Sequence, residues 1–201
     1  MLLVIDDNNQ SLNVFDLREL LYKRNPEFVK FSAKTTGQIV KSAVNKKDSK
    51  IAVVSVRGEL QTFALSIEAR AKLQEYYERE QNDTGFYMQS VHQSGGHEPT
   101  YYQVNDVLFN PEKDYLTITG GSDGTVYVSN TSAKKMIKSF QFSETWPVMS
   151  LAINNKYELM AVALGNDYHL GWEGRDKFKP AHLILKKIND ATFRASSAYD
   201  L

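Results

Sequence analysis

The chain contains no cysteine. Disulfides and thiolate metal sites are therefore excluded, and the composition fits a reducing compartment. Neither sign of charge is in excess, since Lys+Arg and Asp+Glu both number 24. A balanced chain offers no footprint for a phosphate backbone or another polyanion. Long apolar runs are missing too: none approaches the ~18 residues that a membrane-spanning helix requires. The opening Met1-Leu2-Leu3-Val4-Ile5 meets Asp6-Asp7 at once, which is too short for a secretory core and lacks its basic leader. The expectation is a soluble, intracellular protein with neither membrane nor nucleic acid as partner. At 201 residues it can hold one domain with a real core, or two marginal ones.

What is present is strand-forming sequence. Eleven tyrosines and ten phenylalanines accompany short Val/Ile/Leu runs, a composition that favours pleated, half-buried surfaces. Strands are expected at 2–5, 11–15, 27–31, 38–44, 50–56 and 59–65, the last two joined by a tight turn at Arg57-Gly58. From Ser66 to Glu80 the period changes. Strong helix formers follow a Ser66 N-cap, but the apolar stripe is weak, so this reads as a helical surface insertion. Strands resume at 86–91, 103–109, 115–119, 125–129, 136–142, 148–153, 159–164 and 181–188. Residues 189–201 read as a flexible tail.

Fourteen short strands with turns between them indicate an all-β architecture, and the pattern repeats. An apolar strand, an Asn-Pro turn, a second strand, a Gly-Ser-Asp-Gly turn and a third strand run from Val104 to Asn130. The opening strand recurs near Gly37 and near Pro147. The interval from Val104 to Pro147 matches the ~40–45-residue period of WD-repeat blades. The interval from Gly37 to Val104 is that period plus the helical insertion. The fold class expected is a WD-repeat β-propeller occupying 1–188, with blades at about 1–33, 37–92, 103–142 and 147–188. That makes an incomplete propeller of about three and a half four-stranded blades out of an expected seven.

These segments resemble a family in order and spacing. Val104-Asn105-Asp106-Val107-Leu108-Phe109-Asn110-Pro111 followed by Thr119-Gly120-Gly121-Ser122-Asp123-Gly124-Thr125-Val126 resembles a blade of the family shared by two propellers. One is the spindle-checkpoint protein Bub-three; the other is the mRNA-export protein Rae-one, also called Gle-two. Leu12 to Arg18, Ser55 to Leu60, Phe86 to His92 and Lys134 to Phe140 extend the likeness in unbroken order. The resemblance implies a seven-bladed ring of which this chain matches the later blades. The first blade would lack its inner strand and the last its outer one, through truncation or because two arcs complete each other.

It also implies a non-enzymatic scaffold of the spindle assembly checkpoint. Such a scaffold recruits checkpoint kinases of the Bub-one/Mad-three type to kinetochores, and is nuclear with a possible cytoplasmic pool. The alternative is an mRNA-export propeller docking on a nucleoporin at the nuclear pore, favoured by the stretch Asn166 to Glu173. In both, arginines on the top face pair with glutamates of a short acidic segment, the GLEBS motif. The positions that carry this are Arg57 and Glu59 at the turn, and Gln89 and His92 on the aromatic strand. Glu59 stands where the family has arginine, and a glutamate facing a glutamate would cost binding energy.

Other polar residues read as structure. Gly120, Gly121, Ser122, Asp123 and Gly124 lack the Lys-Ser/Thr and the following helix of a phosphate cradle, so they form a hairpin turn. In WD repeats the Asp of this turn joins a network with a His and a strand Trp. Here Ser129-Asn130 replace Trp-Asp, which leaves Asp123 in an incomplete network. His92, His97 and Glu98 fit no helical metal-ligand spacing and read as a solvated loop. No metal or other cofactor is expected. No Ser-His-Asp arrangement on a nucleophile elbow occurs. Arg175, Lys177, Lys179, Lys186 and Lys187 interleave with Trp172 and Phe178, which could suit nucleic acid, but Glu173 and Asp176 dilute them.

Overall fold

The computed structural model describes residues 2–5, 11–15, 21–25, 28–45, 50–64, 86–88, 91–95, 97–144, 146–154, 156–166 and 181–189. The expected helical insertion at 66–80, the tail from 190, Gln89 and the basic stretch Arg175 to Lys179 lie outside them. So does most of the stretch from Asn166 to Glu173. Among the described residues no helix is long and apolar enough to cross a membrane.

The described strands are β1 (Leu2–Ile5), β2 (Ser11–Phe15), β3 (Phe28–Ser32), β4 (Ile39–Val44), β5 (Lys50–Ser55), β6 (Leu60–Ala64) and β7 (Phe86–Met88). They continue with β8 (Val104–Phe109), β9 (Leu116–Gly121), β10 (Thr125–Asn130), β11 (Lys135–Gln141), β12 (Val148–Ile153), β13 (Leu159–Leu164) and β14 (His182–Lys187). They form four sheets in chain order, β1-β2-β3, β4-β5-β6-β7, β8-β9-β10-β11 and β12-β13-β14. Strands end within a residue or two of the positions read from sequence, except β7. That strand was expected to reach Val91. Instead the Val91 and His92 N–H groups both turn to the Gly58 carbonyl, at 2.7 and 3.3 Å.

Sheets pack face to face through three apolar layers. Leu12 and Val14 meet Ile39, Ile51 and Val53 between the first and second sheets. Ala52, Val54 and Leu60 meet Val104, Val107 and Phe109 between the second and third. Leu116, Ile118, Val126 and Val128 meet Val148, Leu151, Met160, Val162 and Leu164 between the third and fourth. This explains why Ile51-Ala52-Val53-Val54 does not alternate: β5 lies between two packed sheets and buries both faces. β13 buries Met160, Val162 and Leu164 on one face and leaves the other partly open, so it does alternate.

Three sheets repeat in detail. Each first strand carries one register break, at Ile39/Lys41, Val104/Asp106 and Val148/Ser150. Each first strand is followed by an asparagine, namely Asn45, Asn110 and Asn154. Its backbone N–H reaches the carbonyls of Lys50, Leu116 and Leu159 respectively. Its carboxamide oxygen accepts N–H groups of the turn, from Lys50, from Glu112 and Lys113, and from Glu158 and Leu159. A short side chain that imitates the backbone is what such a turn selects.

The β5–β6 and β9–β10 turns place Gly58 and Gly124 in the left-handed region, at φ 73° and 72°. A β-carbon on Gly124 would run into the Ser143 carbonyl oxygen. Gly124→Ala is therefore expected to cost about 2–4 kcal/mol, from the left-handed conformation plus a backbone collision. Gly95, with open space around its α-carbon, should accept alanine within about 0.5 kcal/mol. Urea midpoints of the two variants check this, and equal midpoints would overturn it.

Candidate functional site

The turn ends of the second and third sheets hold the residues on which function was expected to rest. Each turn is engaged by the segment that leaves the preceding sheet. After β3, Thr36 and Gly37 reach the β5–β6 turn. After β7, His92 reaches the β9–β10 turn.

In the first case Glu59 is the receiver. Its carboxylate accepts the N–H of Thr36 at 2.9 Å, the hydroxyl of Thr36 at 2.9 Å and the N–H of Gly37 at 3.1 Å, and the Ser55 hydroxyl donates to it closely. The residue is 1% exposed. A buried carboxylate is tolerated because hydrogen bonds to it replace those of water. Its expected place as a contact facing a partner is therefore corrected. Glu59 points inward and ties the exit of the first sheet to the second.

In the second case His92 is the key residue, and it is 0% exposed. Its Nδ1 lies 2.9 Å from Asp123 Oδ1 and its Nε2 lies 3.0 Å from Thr119 Oγ1. Tyr127 meets the ring edge-on, with centroids 4.5 Å apart. Burial first, and then the Asp123 carboxylate, raise the pKa of the Tyr127 phenol. Gly121 makes room for this, since a β-carbon there would overlap the His92 ring. His92 as a partner contact, or as part of a solvated loop, is thus corrected as well: burial removes it from any docking surface. The Trp position of the network is Ser129, and its Oγ is buried without a hydrogen-bond partner, as is Oγ1 of Thr117 opposite it in the ladder.

Thr119, His92 and Asp123 have the connectivity of a hydroxyl, a base and an orienting carboxylate. Chemistry needs access, and Thr119 and His92 are both sealed between sheets. The arrangement joins two sheets and presents nothing to a substrate. Ser122 and Asp123 make the turn proper, and Asp123 also accepts the Thr125 N–H at 3.1 Å.

Of the expected contact residues, Arg57 alone is described and exposed. Its backbone N–H donates to Ser55 Oγ at 3.1 Å, and its side-chain stem lies over Gly37. Exposed Val56 is beside it. Tyr101, also exposed, precedes Tyr102, whose carbonyl oxygen lies against Gly58.

One polar centre was missed in the sequence. Asp106 on β8, 4% exposed, accepts the Leu151 N–H at 2.8 Å and the Ser150 hydroxyl at 2.9 Å, both from β12. Its other oxygen accepts the Val107 N–H at 2.9 Å and lies 3.7 Å from Lys41 Nζ on β4. Lys41, Asp106 and Ser150 each follow the register break of their own strand. The repeat itself was the available signal, because aligning the three first strands puts these residues in one column.

The chain is similar to Sqt1 from Chaetomium thermophilum, with a TM-score of 0.55 and 17% sequence identity over 79% of this chain. The fold is that of a WD-type β-propeller. The match spans 36% of the Sqt1 chain. In all, 910 solved chains match, so the likeness is to a widely used fold and carries the fold alone. No family model matches the chain, and no curated protein matches it in sequence.

Proposed function

We propose that the chain is a non-enzymatic protein-binding scaffold of the spindle assembly checkpoint. In this reading it receives an acidic GLEBS-type segment of a checkpoint kinase on the turn face and carries that kinase to kinetochores. The observation that supports it is the division of labour at one turn. Glu59, where the family has arginine, is internal and its charge is met by donors. Arg57 stands exposed two residues earlier. The repulsion expected between Glu59 and an acidic partner therefore falls away, and Arg57 supplies the cation. The polar groups that might have suggested catalysis are consumed by structural bonds, which favours a scaffold over an enzyme.

The test is titration of the full chain with an acidic GLEBS-type peptide, alongside affinity purification from the protein's own cells. Arg57→Glu is expected to weaken peptide binding at least tenfold, about 1.4 kcal/mol, with an unchanged melting temperature. Recovery of a checkpoint kinase would support the proposal. Recovery of a nucleoporin would move the function to mRNA export. Binding unaffected by Arg57→Glu would remove the turn face from the account.

A further inference from the structure

Two hydroxyls of the third sheet stand apart from the His92 network. Thr117 Oγ1 on β9 and Ser129 Oγ on β10 are buried and make no hydrogen bond. Both residues are 0% exposed, and they oppose each other directly in the ladder. Tyr127 and Thr119 form the next pair on the same face, because side chains alternate along each strand. Ile118 and Val128, between the two pairs, point the other way into the layer shared with the fourth sheet. The face that carries Thr117 and Ser129 turns to the second sheet. Val107, Phe109 and Tyr127 on that face pack with Ala52, Val54 and Leu60.

A buried hydroxyl that makes no hydrogen bond is costly, and here two of them meet at one spot. Folded chains commonly answer such a demand with an internal water, which needs room and about two to four polar partners. The third sheet offers both. Directly opposed residues have β-carbons roughly 4.5–5.5 Å apart, a span that one small molecule can bridge between two short hydroxyl side chains. Thr119, two residues along β9 on the same face, contributes a third oxygen. It is bonded to His92 Nε2 at 3.0 Å, and a hydroxyl has capacity for more than one bond. Room comes from Ser129, a small side chain where the WD pattern has tryptophan. The guest is neutral, because the oxygens that face it are uncharged.

We propose that one internal water molecule is built into the third sheet, bridging Thr117 Oγ1 and Ser129 Oγ. It accepts from one hydroxyl and donates to the other, and its second proton is directed along β9 to Thr119 Oγ1. The bonds from Asp123 through His92 to Thr119 are thereby continued across β9 and β10. Water completes the file at the place where the WD pattern uses an indole.

The test is oxygen-17 magnetic relaxation dispersion on the full chain, whose amplitude counts long-lived internal waters. Thr117→Val and Ser129→Ala are each expected to lower the amplitude by the equivalent of one water, and the double variant by no more than one. Thr117→Ser keeps the hydroxyl and should keep the amplitude. Thr35→Val removes another unpartnered hydroxyl, at a position outside the strands, and should leave the amplitude unchanged. Melting temperatures give an independent reading. Each of Thr117→Val and Ser129→Ala takes a partner from the water and from the hydroxyl opposite, so each should melt about 2–4 °C lower. The double variant should melt no lower than the worse of the two, since both remove the same bridge. Bare hydroxyls would behave in the opposite way: each substitution would raise the melting temperature, and the gains would add. That result, an amplitude unchanged by Thr117→Val and Ser129→Ala, or one lost in Thr117→Ser would each overturn the proposal.

Discussion

Replacing Glu59 with alanine is expected to lower the stability of the chain by about 3 kcal/mol, because the buried N–H of Gly37 and the part-buried N–H of Thr36 lose the carboxylate that accepts them. The hydroxyls of Thr36 and Ser55 can rotate toward other partners and add less. Glu59→Gln keeps the shape but turns one oxygen into a donor among donors, for a loss of about 1–2 kcal/mol. Glu59→Arg restores the residue of the resembled family and is expected to be the worst, above about 4 kcal/mol. It puts an unpaired cation among N–H and O–H donors inside the protein. For a chain of this size urea slopes are about 2 kcal/mol per molar, so the alanine variant should unfold roughly 1.5 M earlier in urea. If Glu59→Arg instead kept its midpoint and gained affinity for an acidic peptide, the side chain would have to face outward, and the support for the proposed function would be lost.

The architecture was legible because its signals are local. Strand runs, the Arg57-Gly58 and Asp123-Gly124 turns and the blade period are all written in neighbouring residues. The four-stranded order of the two middle sheets then follows from short connections. The site was legible only as a set of residue types. Nothing in Gly58-Glu59-Leu60 says which way the carboxylate points, because its partners are Thr36 and Gly37, on the exit from another sheet. His92 looked like part of a histidine-rich loop, since His97 and Glu98 are near it in sequence. Its actual partners, Thr119 and Asp123, lie in the following sheet. Asp123 is joined by His92, which the sequence alone places in a solvated loop, and the Ser129 hydroxyl is buried without a hydrogen-bond partner.

The same contrast explains Asp106, which the sequence places within the expected strand 103–109 with nothing beside it to name its partners. In three dimensions it joins β8 to β12 through Leu151 and Ser150, and touches β4 through Lys41. Asp106→Ala is expected to cost about 3 kcal/mol, mostly from the buried Leu151 and Val107 N–H groups left without this acceptor. The ion pair contributes little, because the Lys41 side chain is 53% exposed and its ammonium lies 3.7 Å away.

Double-mutant cycles separate these shares. Coupling between Asp106→Ala and Lys41→Ala should stay below about 0.5 kcal/mol, and coupling with Ser150→Ala should approach about 1 kcal/mol. Because the carboxylate spans two sheets, the loss should also appear as faster amide exchange at Leu151 before global unfolding. A large Lys41 coupling with a protected Leu151 amide would mean that Asp106 acts as a charge on the inner surface. A small one with an exposed amide would mean that it acts as a clasp between adjacent sheets, the role its bond lengths support.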